Sequence, residues 1–250
     1  MLRISSTQSE STKKPSKPPE VFWLEQCERD VPEDDLWLGE RELAKVSGLR
    51  FAKRRMDWRL GRWTAKCALA SHLNRARNRE TLRGIEILPA TDGAPEVRVD
   101  GLLGAAVISL SHRSGIALCA IAPAGTALGC DLELIEPRSD AFVSDYLTDE
   151  EQRTIAGLEL PQRFVLANLF WSAKESALKA MRTGLRCDTR SLRVTLGVDP
   201  KAIQEWHPLQ VQSEGGELFT GWWKEEATML RTLVASPPAS MPTALRFERQ

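Results

Sequence analysis

No apolar run in the 250-residue chain approaches the roughly 18 residues of a membrane span. Its longest uncharged stretch, SGIALCAIAPAGTALGC, is broken by Pro123 and Gly125. No hydrophobic signal-peptide region opens the sequence. The five cysteines (Cys27, Cys67, Cys119, Cys130 and Cys187) are odd in number, widely spaced and free of any CxxC pair. That pattern argues against a disulfide framework and a zinc ribbon, and the expectation is a reduced, cytoplasmic protein with no membrane partner. Histidine is scarce, with only His72, His112 and His207. Net charge is zero, and no internal repeat stands out.

What is present is a globular composition, 42% hydrophobic and 27% charged, enough for one large domain or two small ones. Residues 1–20, MLRISSTQSESTKKPSKPPE, are polar and rich in Ser, Lys and Pro, and read as a disordered tail. The zero balance hides a segregation. Residues 41–83 carry 13 Lys/Arg against three acids, and residues 128–160 carry nine acids against two bases. Either these are solvated faces, or one side grips a polyanion and the other a cation.

Strand patterns occur at FWLEQC, on both sides of a turn in GIEILPATDGAPEVRVDG, and in AAVISLSH. IALCAIAPAGTALGCDLELI reads as a hairpin turning at Pro123–Thr126. Helices are expected over PEDDLWLGERELAKVSG, over residues 50–74, from the capping box at Thr148, and around FWSAKESALKA. Strands near 191–197 and 208–212 and a last pair in ELFTGWWKEEATMLRTLVAS follow, with loop from Pro237. Intermixed helices and hairpins predict an α+β fold with antiparallel sheets.

GCDLELI alternates, so Asp131 and Glu133 share one strand face while Cys130, Leu132 and Leu134 take the other. Two carboxylates two residues apart suit a Mg²⁺ ion, which prefers oxygen ligands, although DxE on a solvated strand is also ordinary. Asp131 points away from the core, so its removal is expected to be structurally silent. In the helix, Leu166, Leu169, Phe170, Ala173, Ala177, Ala180 and Met181 form an apolar stripe. Trp171, Glu175 and Lys179 fall opposite, four residues apart. An indole in that row is better explained by a cleft wall than by a surface Glu–Lys pair, with the acidic strand as the facing wall.

GCDLE, the later FWSAKESALK and the earlier SLSH together resemble the 4′-phosphopantetheinyl transferases of the large, surfactin-synthetase type, over about residues 43–194. The resemblance implies two pseudo-symmetric α+β halves, each a small antiparallel sheet packed with a long helix, and a site in the cleft between them. The division is residues 21–127 for the CoA-phosphate side and 128–250 for the Mg²⁺-binding side. It also implies a cytoplasmic monomer that moves 4′-phosphopantetheine from coenzyme A to a serine of an apo acyl or peptidyl carrier protein. In that pattern Asp131, Glu133 and Glu175 bind Mg²⁺, Glu175 is the candidate base, and Lys179 contacts the reacting phosphates. Ser111, His112, Lys45 and the turn holding Asp92 and Gly93 bind the nucleotide, and Asp131 also contacts CoA.

Two positions depart from the pattern. Ala94 replaces a lysine, and Arg182 stands where a glycine precedes Gly184–Leu185. Those departures keep open a relative that binds CoA without catalysis. From a different class, a nucleic-acid-binding protein would use the basic helix over residues 50–83.

Overall fold

A computed structural model describes residues 17–104, 106–197 and 206–246, so most of the N-terminal tail read from the sequence lies outside the described residues. The chain opens with β1 (Phe22–Cys27), α1 (Glu40–Ser47), α2 (Ala52–His72) and α3 (Arg79–Gly84). Then come β2 (Ile85–Pro89), β3 (Pro95–Val99), β4 (Leu102–Leu103), β5 (Ala106–Arg113), β6 (Ile116–Pro123) and β7 (Ala127–Leu134). The rest is α4 (Asp140–Tyr146), α5 (Asp149–Ala156), α6 (Leu160–Ala180), β8 (Leu192–Leu196), β9 (His207–Ser213), β10 (Leu218–Glu226), β11 (Met229–Ser236) and β12 (Thr243–Ala244). No described helix is long and apolar enough to cross a membrane.

One sheet runs β12-β1-β6-β5 and another β7-β11-β10-β9-β8, while β2-β3-β4 form a small third sheet packed beside β5. The arrangement repeats. A strand followed by helices pairs with the last strand of its half, β1 with β6 and β7 with β11, and a 21-residue helix packs on each sheet. Aligned from their first residues, α2 and α6 match Trp63-Thr64-Ala65-Lys66 with Trp171-Ser172-Ala173-Lys174. The internal repeat that the sequence seemed to lack is therefore present, shortened to four residues.

The matched lysines explain why those residues persist. Lys174 is wholly buried and pairs with Glu151 at 2.7 Å. Glu151 also accepts from Thr148 N, capping α5, and from Val194 N of β8. In the other half, buried Lys66 pairs with buried Glu42, which accepts from Gly39 N, capping α1, and from Ile87 N of β2. Each lysine also donates to main-chain carbonyls, Lys174 to Tyr146 and Lys66 to Trp37 and Leu82. A buried ion pair is tolerable only when its remaining bonding capacity is filled, and here it is.

Three apolar clusters hold the layers. Leu24, Leu69, Ile85 and Ile121 pack with α2, and Phe170, Ala177, Leu192 and Val211 pack with α6. Leu118, Ala120, Leu128, Cys130, Leu132 and Leu233 join the two large sheets. Arg231 of β11 reinforces that junction with a two-pronged bond to Glu25 of β1, at 2.6 and 2.8 Å.

Three sequence readings change. β6 and β7 do not pair as a hairpin: β6 bonds β1 and β5, and β7 bonds β11. Their apolar faces pack against each other instead. Residues 32–39 precede α1 as turns, because Glu42 caps at Gly39 and Asp34 and Asp35 face Arg79, Arg55 and Arg59. Past Pro237, β12 returns to pair with β1 in parallel, so residues 243–244 belong to the first sheet.

Truncating Lys174 to alanine strands the Glu151 carboxylate and is expected to cost about 3–5 kcal/mol of stability. Arg190→Ala, which removes an exposed pair with Asp149, is expected to cost no more than about 1 kcal/mol. Urea unfolding of both variants checks the contrast, and equal losses would contradict the buried-pair account.

Candidate active site

Gly129 sets the approach of β7 to α6. A β-carbon there would lie 1.7 Å from the Ser176 carbonyl oxygen and 2.9 Å from Ala180 N. With strand and helix in direct contact, Asp131 and Glu133 face α6. Asp131 is buried and receives three side-chain donors, Lys179 Nζ at 2.8 Å, Ser111 Oγ at 2.8 Å and Ser172 Oγ at 2.9 Å. Glu133 accepts from Trp171 Nε1 at 2.9 Å, with Arg138 at 3.3 Å and Arg113 at 3.7 Å. The tryptophan that looked misplaced on an outer helix face is thus a hydrogen-bond donor to the acidic strand. Its ring also packs edge-on against Phe142 and Tyr146 of α4.

Burial raises the Glu175 carboxyl above the usual range, and Asp131 and Glu133 add to this while Lys179 opposes it. Burial and Asp131 likewise raise Glu133, against Trp171 and the two arginines. For Lys179, burial pulls the ammonium down, but Asp131 and its neighbours outweigh it and the pKa ends above the usual lysine value. Among the described residues, no group of three or more His, Cys, Asp or Glu side chains is drawn together closely enough to hold a metal ion. Asp131 is occupied by its own donors. The donor set, three carboxylates of which two are raised by burial and by the charge of Asp131, is nevertheless that of a hard, oxygen-preferring cation.

A cleft of about 520 Å³ opens beside Lys179. Val107, Ser109 and His112 of β5 and the Asp92–Pro95 turn line one side, and Leu178–Ala180 and Arg182 line the other. His112 is exposed on β5, yet partial desolvation lowers its pKa, Asp57 opposes this, and Lys179 and Lys53 add to it. The structure therefore brings His112 within electrostatic reach of Lys179. Asp92, Gly93, His112 and Lys179 all line the cleft, while Ser111, Glu133, Glu175 and Lys179 gather around Asp131. Lys45 is exposed on α1 and is not among the lining residues.

The basic segment is not a continuous face. Arg41, Lys53, Arg55, Arg59, Lys66 and Arg79 are each paired with nearby acids. Arg62 is the residue of that segment that lines the cleft, stacked over Trp58 at 5.0 Å with its Nε buried and unpartnered. Sequence spacing gave Arg62 no ligand and missed Ser172 as a brace of Asp131. Ser172 and Ser176 meet Thr232 Oγ1 at 2.9 and 2.7 Å, and Thr232 lies directly across β11 from Asp131. Two serines four apart among buried helix positions were the available signal.

A family model for the 4′-phosphopantetheinyl transferase superfamily matches residues 127–220, the stretch carrying Asp131, Glu133, Glu175 and Lys179. The holo-[acyl-carrier-protein] synthases of Streptococcus agalactiae serotype III and serotype V are each 32% identical to this chain over 84 residues. The alignment covers 34% of the chain and 71% of each relative. The chain belongs to the 4′-phosphopantetheinyl transferase superfamily. A solved holo-(acyl-carrier-protein) synthase from Bacillus anthracis, in complex with CoA (3′,5′-ADP), aligns with a TM-score of 0.36 at 17% identity, over 43% of this chain and 97% of its own. Within the superfamily match, both motifs fall on the two elements that Gly129 brings into contact.

The raised Glu175 pKa makes a stability prediction. The folded protein holds this proton more tightly than the unfolded chain. The stabilisation is complete below the ordinary carboxyl value of 4.5 and is lost as pH rises through the raised folded value. Glu175→Gln is therefore expected to melt higher than the parent at pH 7 in chelator-treated buffer, the gap closing as pH falls towards 4. A variant that melts lower at pH 7 would contradict the assignment.

Proposed function

We propose that this protein transfers 4′-phosphopantetheine from coenzyme A to a serine of an apo acyl or peptidyl carrier protein, releasing 3′,5′-ADP. The observation that carries the reading is the cluster of Asp131, Glu133, Glu175 and Lys179 beside a cleft lined by Arg62, His112 and Arg182. A diphosphate donor needs cations such as Lys179, Arg62 and Arg182, and an acceptor hydroxyl needs a base. The names of the Streptococcus relatives support the same activity.

In this reaction the serine oxygen forms a bond to the β-phosphorus, the bond from that phosphorus to the 3′,5′-ADP oxygen breaks, and Glu175 takes the serine proton. A carboxylate whose pKa is raised is the stronger base for that step. Lys179 places its ammonium against the diphosphate, and Asp131 holds it there at 2.8 Å. Asp131, Glu133 and Glu175 would hold Mg²⁺, which supplies charge neutralisation on the diphosphate, where phosphoryl-transfer catalysis mainly lies. Both cleft walls come from one chain, which supports a monomer of the large, two-halved type. The CoA-phosphate side would be residues 21–127 and the metal side residues 128–250, of which β12 returns to the first sheet. The pairing of the basic segment with nearby acids, most of them outside it, weakens the nucleic-acid reading.

An apo carrier protein incubated with this protein, CoA and Mg²⁺ is expected to gain the phosphopantetheine mass. CoA binding without mass gain across acyl and peptidyl carriers would leave a binding protein instead. Asp131→Ala, expected from the alternation to be silent, removes the acceptor of three donors, so Asp131→Asn is the cleaner variant for loss of transfer with the fold kept.

His112 is expected to read the 3′-phosphate. A charge-assisted bond of roughly 1.5–3 kcal/mol corresponds to about 10- to 150-fold in affinity. His112→Ala should lose that factor for CoA and little for dephospho-CoA. Because a phosphate favours the imidazolium, CoA should also raise the His112 pKa from below its ordinary 6.5, read by NMR titration. Equal losses for both donors would remove the assignment.

A further inference from the structure

Arg182 sits where α6 ends. Its amide bonds the Lys179 carbonyl at 3.1 Å, Thr183 N bonds the Leu178 carbonyl at 3.1 Å, and its own φ is 59°. This is the left-handed closing position of a helix, which glycine fills without strain. The arginine side chain reaches the opposite side of the cleft. Its Nε meets Asp92 Oδ2 at 2.8 Å and its NH2 meets Oδ1 at 3.1 Å, while Asp92 is itself fixed by the Ala94 amide at 3.0 Å. NH1 has no partner among the described residues, and the side chain is 53% exposed. Asp92, Arg182 and Lys179 line the same cleft.

Stability does not account for this arrangement. An exposed ion pair contributes little, and glycine would close the helix with less strain. The side-on bond with Asp92 instead fixes a guanidinium in the cleft with one edge open, the geometry that accepts an anionic oxygen. The structure also brings together the two positions at which the sequence departs from the pattern it resembles: Arg182 is bonded to a carboxylate two residues from Ala94.

We propose that Arg182 is a phosphate ligand of the donor, held across the cleft by Asp92 with its NH1 edge open to a phosphate oxygen. This rests on the reading of the cleft as a coenzyme A site. Isothermal titration of the full chain and of Arg182→Gly and Arg182→Gln with CoA, dephospho-CoA and pantetheine tests it. Both variants are expected to bind CoA about 10-fold or more weakly and pantetheine, which has no phosphate, as the parent does. Arg182→Gly is expected to melt no lower than the parent. A loss shared by CoA and dephospho-CoA places the ligand on the diphosphate, and a loss confined to CoA places it on the 3′-phosphate; either supports the proposal. Unchanged CoA affinity, or equal losses for CoA and pantetheine, would overturn it. A parent chain that fails to bind CoA would overturn the reading of the cleft itself, an outcome visible before any variant is made.

Discussion

The carbonyl of Ser176 occupies the space that a β-carbon at position 129 would need, and the contacts between β7 and α6 in the candidate site follow from that closeness. β7 runs against α6 in the opposite sense. From Gly129 to Glu133 the strand advances about 13 Å, and from Ala180 back to Trp171 the helix advances about the same. Asp131 consequently meets Lys179 and Ser172, and Glu133 meets Trp171. The spacing of the strand motif and that of the helix motif are one geometric fact. A side chain at 129 would lift the helix off the strand and separate donors from acceptors by more than hydrogen-bond length.

Around this contact the scaffold is duplicated and the chemistry is not. Glu42–Lys66 and Glu151–Lys174 each tie a helix cap, a long helix and a strand together. When α2 and α6 are aligned end to end, Cys67 and Ser71 stand opposite Glu175 and Lys179. Trp63, the partner of Trp171, leaves its buried Nε1 without an acceptor, whereas Trp171 has Glu133. The first half keeps the architecture and contributes cleft residues, Arg62, Asp92 and His112, without a counterpart of the Glu175–Lys179 row.

The helix α6 and its neighbour β7 were legible in the sequence because their signals are local: alternation on the strand and a row of residues four apart on the helix. The capping box at Thr148 was legible for the same reason. What was not legible depends on partners distant in the chain. The hairpin read around Pro123 failed because alternation places residues on faces without saying whether a neighbouring strand bonds edge to edge or packs face to face. The basic run over residues 41–83 looked like a polyanion surface because its acids, Asp34, Asp35 and Glu86, lie outside it. Lys45, which the resemblance assigns to the nucleotide, is exposed on α1 and does not line the cleft.

The charges of the site divide by what already holds them. Asp131 has Lys179 and two hydroxyls, and Glu133 has an indole and two arginines. Glu175 faces the same group with its proton affinity raised, and it makes no hydrogen bond or ion pair among the described residues. Burying a carboxylate without a partner is unfavourable, so the site lowers its energy when a proton or cation reaches Glu175. The open NH1 edge of Arg182, beyond its pair with Asp92, and an unpartnered guanidinium nitrogen on Arg62 are the opposite imbalance on the cleft side. An incoming group that carries phosphates at one end and delivers an acidic proton or a cation at the other relieves both.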